Sequence, residues 1–395
     1  MRKMEIVAAT QQNQKWKEMI KREQPLYVRE NEKRTELERD YTRIIHARAY
    51  RRLKHKTQVF FSPSNDHICT RIEHVNYVES ISYTIARDLG LNTELTKAIS
   101  VAHDLGHSPF GHTGEKILNE ISLKEVGESF WHEKNGLHLV DDLELLEDND
   151  GNSINMNLTY AVRDGIISHC GEVDENGIKP REEAIDLKEY TKPNAYSPYT
   201  WEACTVKIAY KISYIGRDLE DALKLRLLDK EKIEELKDIL EFEGNINNTN
   251  FINLFISDLC ENSSVERGLQ FSNKIYHQMN KMKAFNYENI YLHPRLQPGN
   301  EYFKVVIYQI FNTLYKFFAQ EATFEYLKQE APIYPKLIQE FCEWLSLYTI
   351  QGHMGKNKAL YDLKNKKDYA RAIIDYIAGM TDNYAIEIYE EIIHF

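Results

Sequence analysis

The sequence contains one stretch that concentrates imidazole and carboxylate side chains: Val101-Ala102-His103-Asp104-Leu105-Gly106-His107-Ser108-Pro109-Phe110-Gly111-His112. Three of the 14 histidines fall within it, one of them next to Asp104. Imidazoles and a carboxylate together can hold a hard or borderline divalent cation. Such a cation polarises phosphorus and lowers the pKa of its bound water. The stretch therefore predicts a site for metal-assisted hydrolysis of a phosphate ester.

The residues before this stretch predict two helices joined by a short turn. Apolar residues recur at three- and four-residue steps, at Val75, Val78, Ile81, Ile85 and Leu89. Gly90 is a typical end of a helix, and Asn92 or Thr93 can cap the helix that follows. If the two helices pack antiparallel across this turn, the start of the first lies beside the end of the second.

This arrangement predicts a meeting of three candidate metal ligands. His74 lies near the start of the first helix, whereas His103 and Asp104 lie at the end of the second. We therefore expect His74, His103 and Asp104 to surround one divalent cation. The alternative is that they are unrelated surface or capping residues, which their joint placement disfavours.

A second group of polar residues follows. His107 lies four residues after His103, so both face the same side if the helical turn continues. Glycine and proline residues then break the helix, which allows a tight loop to direct His112 back toward the metal. His112 and Glu115 can form an acid or base oriented by a carboxylate. Alternatively, His107 and His112 only complete hydrogen bonds in the interior.

Helical patterns also dominate the rest of the chain, which predicts an all-α protein. The composition is 42% hydrophobic and 28% charged, which is ordinary for a globular protein. No proline- or serine-rich linker and no repeat divides the chain, so one helical body is the simplest interpretation. We expect loops at 148–157 and 171–199, and breaks between helices near 244–250 and 293–299.

Charge is unevenly distributed along the sequence. The formal net charge of −11 argues against generic binding of nucleic acid. Residues 33–56, in contrast, hold an excess of lysine and arginine over acidic residues. This basic segment could bind an anionic ligand, or it could be a solvated helix face.

Other features indicate a soluble cytoplasmic protein. The first residues lack the apolar run of a signal peptide, and no run of eighteen apolar residues occurs. We therefore expect no membrane partner. The five cysteines are widely spaced and form no CxxC pair, which suggests neither a disulfide framework nor a zinc finger.

Several separate segments together resemble the HD-superfamily deoxynucleoside triphosphate triphosphohydrolases, the dGTPase-like branch. They are Arg51-Arg52-Leu53-Lys54-His55-Lys56-Thr57-Gln58-Val59-Phe60, Arg71-Ile72-Glu73-His74, the segment from His103 to Glu115, and the segment from Ile208 to Leu223. The resemblance covers roughly residues 34–223. It implies an HD-domain helical fold with additional C-terminal helices. The expected division is a core with its substrate-pocket segment at 1–230 and a helical C-terminal region at 231–395.

The resemblance also implies roles for individual residues. His74, His103 and Asp104 match metal ligands, and the expected cofactor is a divalent cation such as Mn, Mg, Fe, Ni or Co. His112 and Glu115 match a catalytic pair, with His107 as a phosphate-contacting member of the catalytic group. The residues that match substrate contacts are Gln58, Tyr214 and Asp218 for the deoxyribose, Arg71 and Lys211 for the phosphates, and His169 as a further active-site histidine.

By similarity, water attacks the α-phosphate of a dNTP and releases a deoxynucleoside and tripolyphosphate. Tyr214 under the sugar would exclude a 2′-hydroxyl, while the preferred base is not readable, dGTP being one candidate. The resemblance further implies a homo-oligomer. Binding of single-stranded nucleic acid, known for some relatives, is secondary because the chain is acidic.

The sequence departs from the family pattern at Tyr210. The family places an aspartate, its fourth metal ligand, four residues before the sugar-contacting tyrosine. A phenol with an ordinary pKa near 10 is a poor ligand for a hard cation. Three accounts stay open: three protein ligands with additional water, rescue by a carboxylate such as Asp218, or no stable metal.

Two other functions are therefore also considered. A metal-deficient homologue could bind dNTPs as a regulator without hydrolysing them. A different HD phosphohydrolase, acting on nucleoside monophosphates or signalling nucleotides, would release orthophosphate or pyrophosphate instead of tripolyphosphate.

Overall fold

The computed structural model describes residues 2–61, 65–170, 176–241 and 246–394. Within these ranges the chain forms seventeen α-helices and one two-stranded antiparallel hairpin. The α-helices are α1 (Trp16–Met19), α2 (Glu36–His46), α3 (Arg48–Arg52), α4 (Arg71–Leu89), α5 (Thr93–Ala102), α6 (Gly111–Glu125), α7 (His132–His138), α8 (Tyr160–Ser168), α9 (Trp201–Lys224), α10 (Lys230–Leu240), α11 (Asn248–Asn262), α12 (Asn273–Asn286), α13 (Gln297–Tyr315), α14 (Thr323–Glu330), α15 (Pro335–Ser346), α16 (Lys366–Ala378) and α17 (Asp382–Ile393). The strands are β1 (Leu145–Glu147) and β2 (Ser153–Asn155).

The two helices predicted before the histidine-rich stretch are confirmed as α4 and α5. The apolar stripe of α4 is buried. Gly90 ends α4 with φ of 86°, a left-handed conformation that glycine adopts without steric cost. The Asn92 side chain accepts hydrogen bonds from the backbone of Glu94 and Leu95, so Asn92 caps α5. Local sequence signals thus fix the pair of helices that carries the candidate ligands.

The apolar interior consists of two clusters. The first extends from Met4 to Ile290 in sequence, and α4, α5 and α9 pack together within it. The second consists of α13 to α17 together with α6. A boundary at residue 230 stays a prediction, and the helices directly after it, α10 to α12, pack with the first cluster.

The all-α fold class is confirmed, and the hairpin is the exception among the described residues. The loop expected at 148–157 is only partly a loop, because β2 lies within it and pairs with β1. The expected break at 293–299 is shorter than predicted, since α13 already begins at Gln297. Residues 171–175 of the other expected loop lie outside the described residues. No helix in the described ranges has both the length and the apolar character needed to cross a membrane.

Backbone contact between α7 and the turn after α5 requires glycine at position 106. A Cβ atom on Gly106 would lie 2.1 Å from the carbonyl oxygen of His132 and 2.2 Å from the backbone nitrogen of Gly136. Asn135 also donates a side-chain hydrogen bond of 2.7 Å to the carbonyl of Gly106. The first turns of α7 are therefore held against the histidine-rich stretch.

A partly buried charged group connects the two apolar clusters. His138 in α7 lies 2.8 Å from Asp142 through Nδ1 and 3.1 Å from Asp375 of α16 through Nε2. Tyr361 donates a hydrogen bond of 2.7 Å to the same Asp375 carboxylate. Burial opposes the charged imidazole, but the two carboxylates outweigh it and raise the pKa of His138 to about 10.

We predict that replacing Gly106→Ala lowers the free energy of unfolding by about 3 kcal/mol, because the added methyl group meets backbone atoms that cannot move aside. Urea denaturation measures this change. The matched control is Gly299→Ala in α13, where the added Cβ meets only the Phe303 ring at 3.7 Å. Alanine there should change the stability by less than about 1 kcal/mol. Equal stability of the two variants would contradict the close approach.

We also predict a pH-dependent loss of stability in Asp375→Asn. The His138 pKa is raised on folding, so its stabilising contribution is complete below about pH 6.5 and is lost as the pH rises through about 10. Asp375→Asn should therefore cost on the order of 3 kcal/mol at pH 6 and clearly less at pH 10. Denaturation at several pH values measures this difference. Glu234→Gln, in an exposed pair with Lys237, should show no such trend, and a cost independent of pH would contradict the charged His138.

Candidate functional site

The start of α4 and the end of α5 bring together His74, His103 and Asp104. All three are buried, with at most 2% of each residue exposed. Each offers one ligand atom, and these atoms lie within 4.8 Å of one another. The predicted antiparallel arrangement thus places the three candidate ligands side by side.

The free ring nitrogens of this group suit a metal ion. His103 donates a hydrogen bond of 2.6 Å from Nδ1 to the carbonyl of Ser100, which leaves its Nε2 as an acceptor. His74 Nδ1 lies 3.2 Å from the hydroxyl of Ser213. Nε2 of both histidines and Oδ1 of Asp104 are buried without a hydrogen-bond partner. Burial lowers the pKa of both imidazoles, that of His74 to about 3, so both are neutral, as metal ligands must be.

Arg71 lies within this group. Its Nη1 donates a hydrogen bond of 2.8 Å to Asp104 Oδ2, and both side chains are buried. Burial alone would raise the Asp104 pKa, but the contact with His107 and the charge of the Arg71 guanidinium outweigh it and hold that pKa well below its usual range. Asp104 is therefore a carboxylate with one oxygen on Arg71. The sequence predicted Arg71 as a phosphate contact and gave no sign of this ion pair.

Tyr210 on α9 occupies the place beside the histidines. Its ring centroid lies 5.4 Å from that of His74 and 5.7 Å from those of both His103 and His169, each at a steep angle. Burial raises the pKa of Tyr210 well above 10, which keeps the phenol neutral. An aromatic ring rather than a carboxylate as fourth ligand therefore covers this side of the ligand group.

Asp218, the other carboxylate considered as a ligand, has a different partner. It accepts a hydrogen bond of 2.5 Å from the hydroxyl of Tyr291. Burial raises the pKa of Asp218 to about 7 despite this hydrogen bond. Among the described residues, the three potential ligand groups do not include it. The geometry therefore favours three protein donors over rescue by Asp218.

A second group of side chains lies against the first. His112, in the first turn of α6, places Nδ1 3.5 Å from Glu115 Oε2. Nδ1 of His107 lies 3.0 Å from Oδ1 of Asp104, but the two atoms do not have the geometry of a hydrogen bond. The side chain of His112 is 65% exposed, so a ligand can reach it.

His132, at the start of α7, completes this second group and was not found from the sequence. Its ring stacks on that of His107 with centroids 3.8 Å apart, and its Nδ1 lies 2.9 Å from Glu115 Oε2. Burial opposes a charged ring, but Glu133 and Glu115 outweigh it and raise the His132 pKa well above its usual range. The only local signal was a histidine followed by an acidic residue, in Trp131-His132-Glu133.

The C-terminal region fixes the turn that leads into α6. Phe110 has φ of 62°, in the left-handed region, and its backbone donates a hydrogen bond of 2.8 Å to Asp382. The other oxygen of Asp382 accepts a hydrogen bond of 2.8 Å from the backbone of Thr57. Asp382 thus connects the segment before Gln58 to the start of the helix that carries His112.

The remaining predicted residues surround these two groups. Gln58 is buried and its Oε1 has no hydrogen-bond partner. His169 is buried at the end of α8, with its ring 5.0 Å from that of His103. Tyr214 lies one helical turn after Tyr210, at 5.3 Å between ring centroids, and Lys211 lies on the same helix.

The basic segment divides between two places. Arg48, Arg51 and Arg52 line a cavity of about 910 Å³, which Trp344 and Tyr376 also line. None of the predicted catalytic, substrate-binding or metal-binding residues lines this cavity. These three arginines therefore line a cavity separate from the histidine groups, whereas Lys56 of the same segment donates a hydrogen bond to the carbonyl of His107.

Comparisons with known proteins identify the family of this chain. The HD domain family matches residues 71–215, and the phosphohydrolase-associated domain matches residues 336–391. The chain is 36% identical to a deoxyguanosinetriphosphate triphosphohydrolase-like protein of Caldanaerobacter subterraneus, over 92% of this chain and 88% of the relative. It is 34% identical to the protein of the same description from Rickettsia felis, over 91% and 92%. The chain therefore belongs to the dGTP triphosphohydrolase-like family of HD phosphohydrolases.

Proposed function

We propose that this protein hydrolyses 2′-deoxynucleoside triphosphates to the deoxynucleoside and tripolyphosphate. The observation that carries the proposal is the contact between two groups of side chains with complementary chemistry. His74, His103 and Asp104 offer unpartnered donor atoms, and His107, His112, Glu115 and His132 offer an acid–base group. His107 lies 3.0 Å from Asp104, so a phosphate bound beside one group would also lie next to the other.

A divalent cation fits the first group. His74, His103 and Asp104 would hold it, and when bound it would act as a Lewis acid that offsets phosphate charge. Three protein donors leave positions open for substrate, as in catalytic metal sites. Tyr210 replaces the expected aspartate, and Arg71 neutralises the charge of Asp104. We therefore propose that the cation binds more weakly than it would with four protein ligands.

The acid–base group would protonate the leaving oxygen. In the proposed reaction, a water oxygen bonds to the α-phosphorus and releases one proton to solvent. The bond from phosphorus to the 5′ oxygen breaks, and protonated His112 supplies a proton to the 5′ oxygen. Burial opposes charge on Glu115, but His132 and His112 outweigh it and hold the Glu115 pKa far below its usual range. Glu115 therefore stays a carboxylate that can orient His112.

The substrate contacts follow from the surrounding residues. Neutral His107 would hydrogen-bond to a phosphate oxygen, because burial and the charge of Arg71 lower its pKa well below 6.5. Arg71 and Lys211 would supply positive charge to the triphosphate. Gln58, with its unpartnered Oε1, would accept a hydrogen bond from a sugar hydroxyl.

The remaining substrate residues would set the choice of sugar. Tyr214 would fill the space of a 2′-hydroxyl and so favour the deoxy sugar. Asp218 and His169 would complete the substrate pocket. A preference for dGTP and assembly into a homo-oligomer are part of the proposal, while binding of single-stranded nucleic acid remains secondary.

A second candidate function is dNTP binding without hydrolysis. The packing of the Tyr210 ring against His74 and His103 favours it, because a phenol leaves the cation with one carboxylate fewer than the family pattern. The salt bridge from Arg71 to Asp104 works in the same direction. A protein of this kind would retain dNTP affinity and act as a regulator.

Product analysis with Mn²⁺ present distinguishes these functions. We expect the unmodified protein to release tripolyphosphate slowly, and Tyr210→Asp to bind Mn²⁺ at least about tenfold more tightly and to turn over faster, because a carboxylate rejoins the ligand group. Calorimetry and chromatography of the products measure both quantities. Tyr210→Phe keeps the ring and should behave as the unmodified protein.

The other outcomes have definite meanings. No tripolyphosphate from either protein, with dNTP binding retained, would overturn the enzymatic proposal in favour of the regulator. Orthophosphate or pyrophosphate as the product would instead indicate a different HD phosphohydrolase.

The acid–base role predicts a loss of turnover in Glu115→Gln. Without the carboxylate, His112 and His132 lose their shared partner, and kcat should fall by about 10²- to 10⁴-fold with little change in KM. The pH dependence of kcat should change as well, which loss of structure alone would not produce. Glu120→Gln on the same helix, where Glu120 pairs with Lys304, is the matched control. Equal kcat in both variants would remove Glu115 from the mechanism.

A further inference from the structure

A third group of potential ligands lies beside the candidate active site. It consists of His132 at the start of α7, His169 at the end of α8, and Cys170 directly after it. Each of the three offers one ligand atom, and these atoms lie within 4.8 Å of one another. The two histidines are buried, with 3% and 1% exposed, whereas Cys170 is half-buried. This group contains a thiol, unlike the two groups described above.

Hydrogen bonds orient both imidazoles for a ligand. His132 engages Glu115 through Nδ1 at 2.9 Å. His169 donates from Nδ1 to the carbonyl of Ile166 at 2.7 Å. Nε2 of each ring is buried without a hydrogen-bond partner. A histidine that binds metal through Nε2 usually donates a hydrogen bond from Nδ1 to a carboxylate or a carbonyl.

The backbone at His169 and Cys170 is held by a buried lysine. Lys207 of α9 donates hydrogen bonds of 3.1 Å to the carbonyl of Ser168 and 2.9 Å to that of Cys170. A third bond of 2.7 Å goes to the side chain of Asn194. Because the carbonyls on both sides of His169 are fixed by one ammonium group, the position of Cys170 relative to His169 is defined in advance of any ligand.

The charge around His132 favours a cation at this place. Nδ1 of His132 lies 2.9 Å from Glu115 and 3.4 Å from Glu133. Two carboxylates behind one ring stabilise positive charge at its other nitrogen, whether a proton or a metal ion carries it. On the other side of that ring, Nδ1 faces Glu115, which belongs with His107, His112 and His132 to the neighbouring group.

We propose that His132, His169 and Cys170 form a second metal site, selective for Zn²⁺ over Mn²⁺ and Mg²⁺. One thiolate and two imidazoles are typical zinc ligands, whereas Mn²⁺ and Mg²⁺ prefer oxygen ligands. Three protein ligands leave one position of a tetrahedral ion open. The inference goes beyond the proposed dNTP hydrolysis and does not depend on it.

Spectroscopy of the Co²⁺ form tests the site directly. The full-length protein is equilibrated with Co²⁺ while excess Mn²⁺ occupies sites that lack a thiol, and the near-ultraviolet band of thiolate bound to cobalt is recorded. Zinc content is then measured after dialysis against Zn²⁺ and Mn²⁺. We expect the unmodified protein to show the band, and Cys170→Ser to lose it together with about one Zn²⁺ per chain.

The control is Cys342→Ser, since Cys342 is also half-buried but lies on α15 in the second apolar cluster. This variant should keep both the band and the zinc. Absence of the band from the unmodified protein would overturn the site, and so would equal zinc content in Cys170→Ser and the unmodified protein. No dNTP is present in these measurements, so a negative result leaves the proposed hydrolysis untouched.

Discussion

The buried ion pair between Arg71 and Asp104 is the interaction on which the candidate site depends. Arg71 is the first residue of α4, and Asp104 follows the end of α5. Neither residue is more than 1% exposed. Removing two charges from water is costly, and breaking such a pair by loss of one partner typically costs about 3–5 kcal/mol. The backbone of Arg71 also donates to the carbonyl of Lys56 at 3.1 Å. Through its side chain and its backbone, Arg71 therefore connects the helix start, the histidine-rich turn and the segment that carries Gln58.

This ion pair also sets the electrostatics of the site. Asp104 is the only carboxylate in the group with His74 and His103, and Arg71 already balances its charge. Where the family places a second carboxylate, Tyr210 contributes a neutral ring. The net negative charge at this group is therefore small, which would lower its affinity for a cation. Three protein ligands, instead of four, would hold the cation, and its remaining coordination positions would be open to substrate.

The C-terminal region contributes to the chemistry by positioning α6. One face of α6 packs into the second apolar cluster through Ile117, Leu118 and Ile121, while its first turn presents His112. Asp382 holds both the start of α6 and the backbone of Thr57. The phosphohydrolase-associated domain at residues 336–391 thus contacts the HD domain at the start of α6, next to the proposed acid–base group.

The sequence by itself determined the features that depend on local chemistry. The apolar stripe, Gly90 and Asn92 defined α4 and α5 because helix periodicity and capping act over a few residues. Together with the short turn, they placed His74 beside His103 and Asp104. The same motifs identified the family, and Tyr210 stood out as a departure from its pattern.

Only the tertiary structure decided which side chains meet across distant elements. It brought His132 onto His107, paired Arg71 with Asp104, and directed Arg48, Arg51 and Arg52 into a separate cavity. It also joined His132 to Cys170, residues that no sequence pattern connected. These contacts depend on how whole helices pack. Which side chains of two distant helices meet is decided by their packing against the same apolar interior, and not by the residues next to them in the sequence.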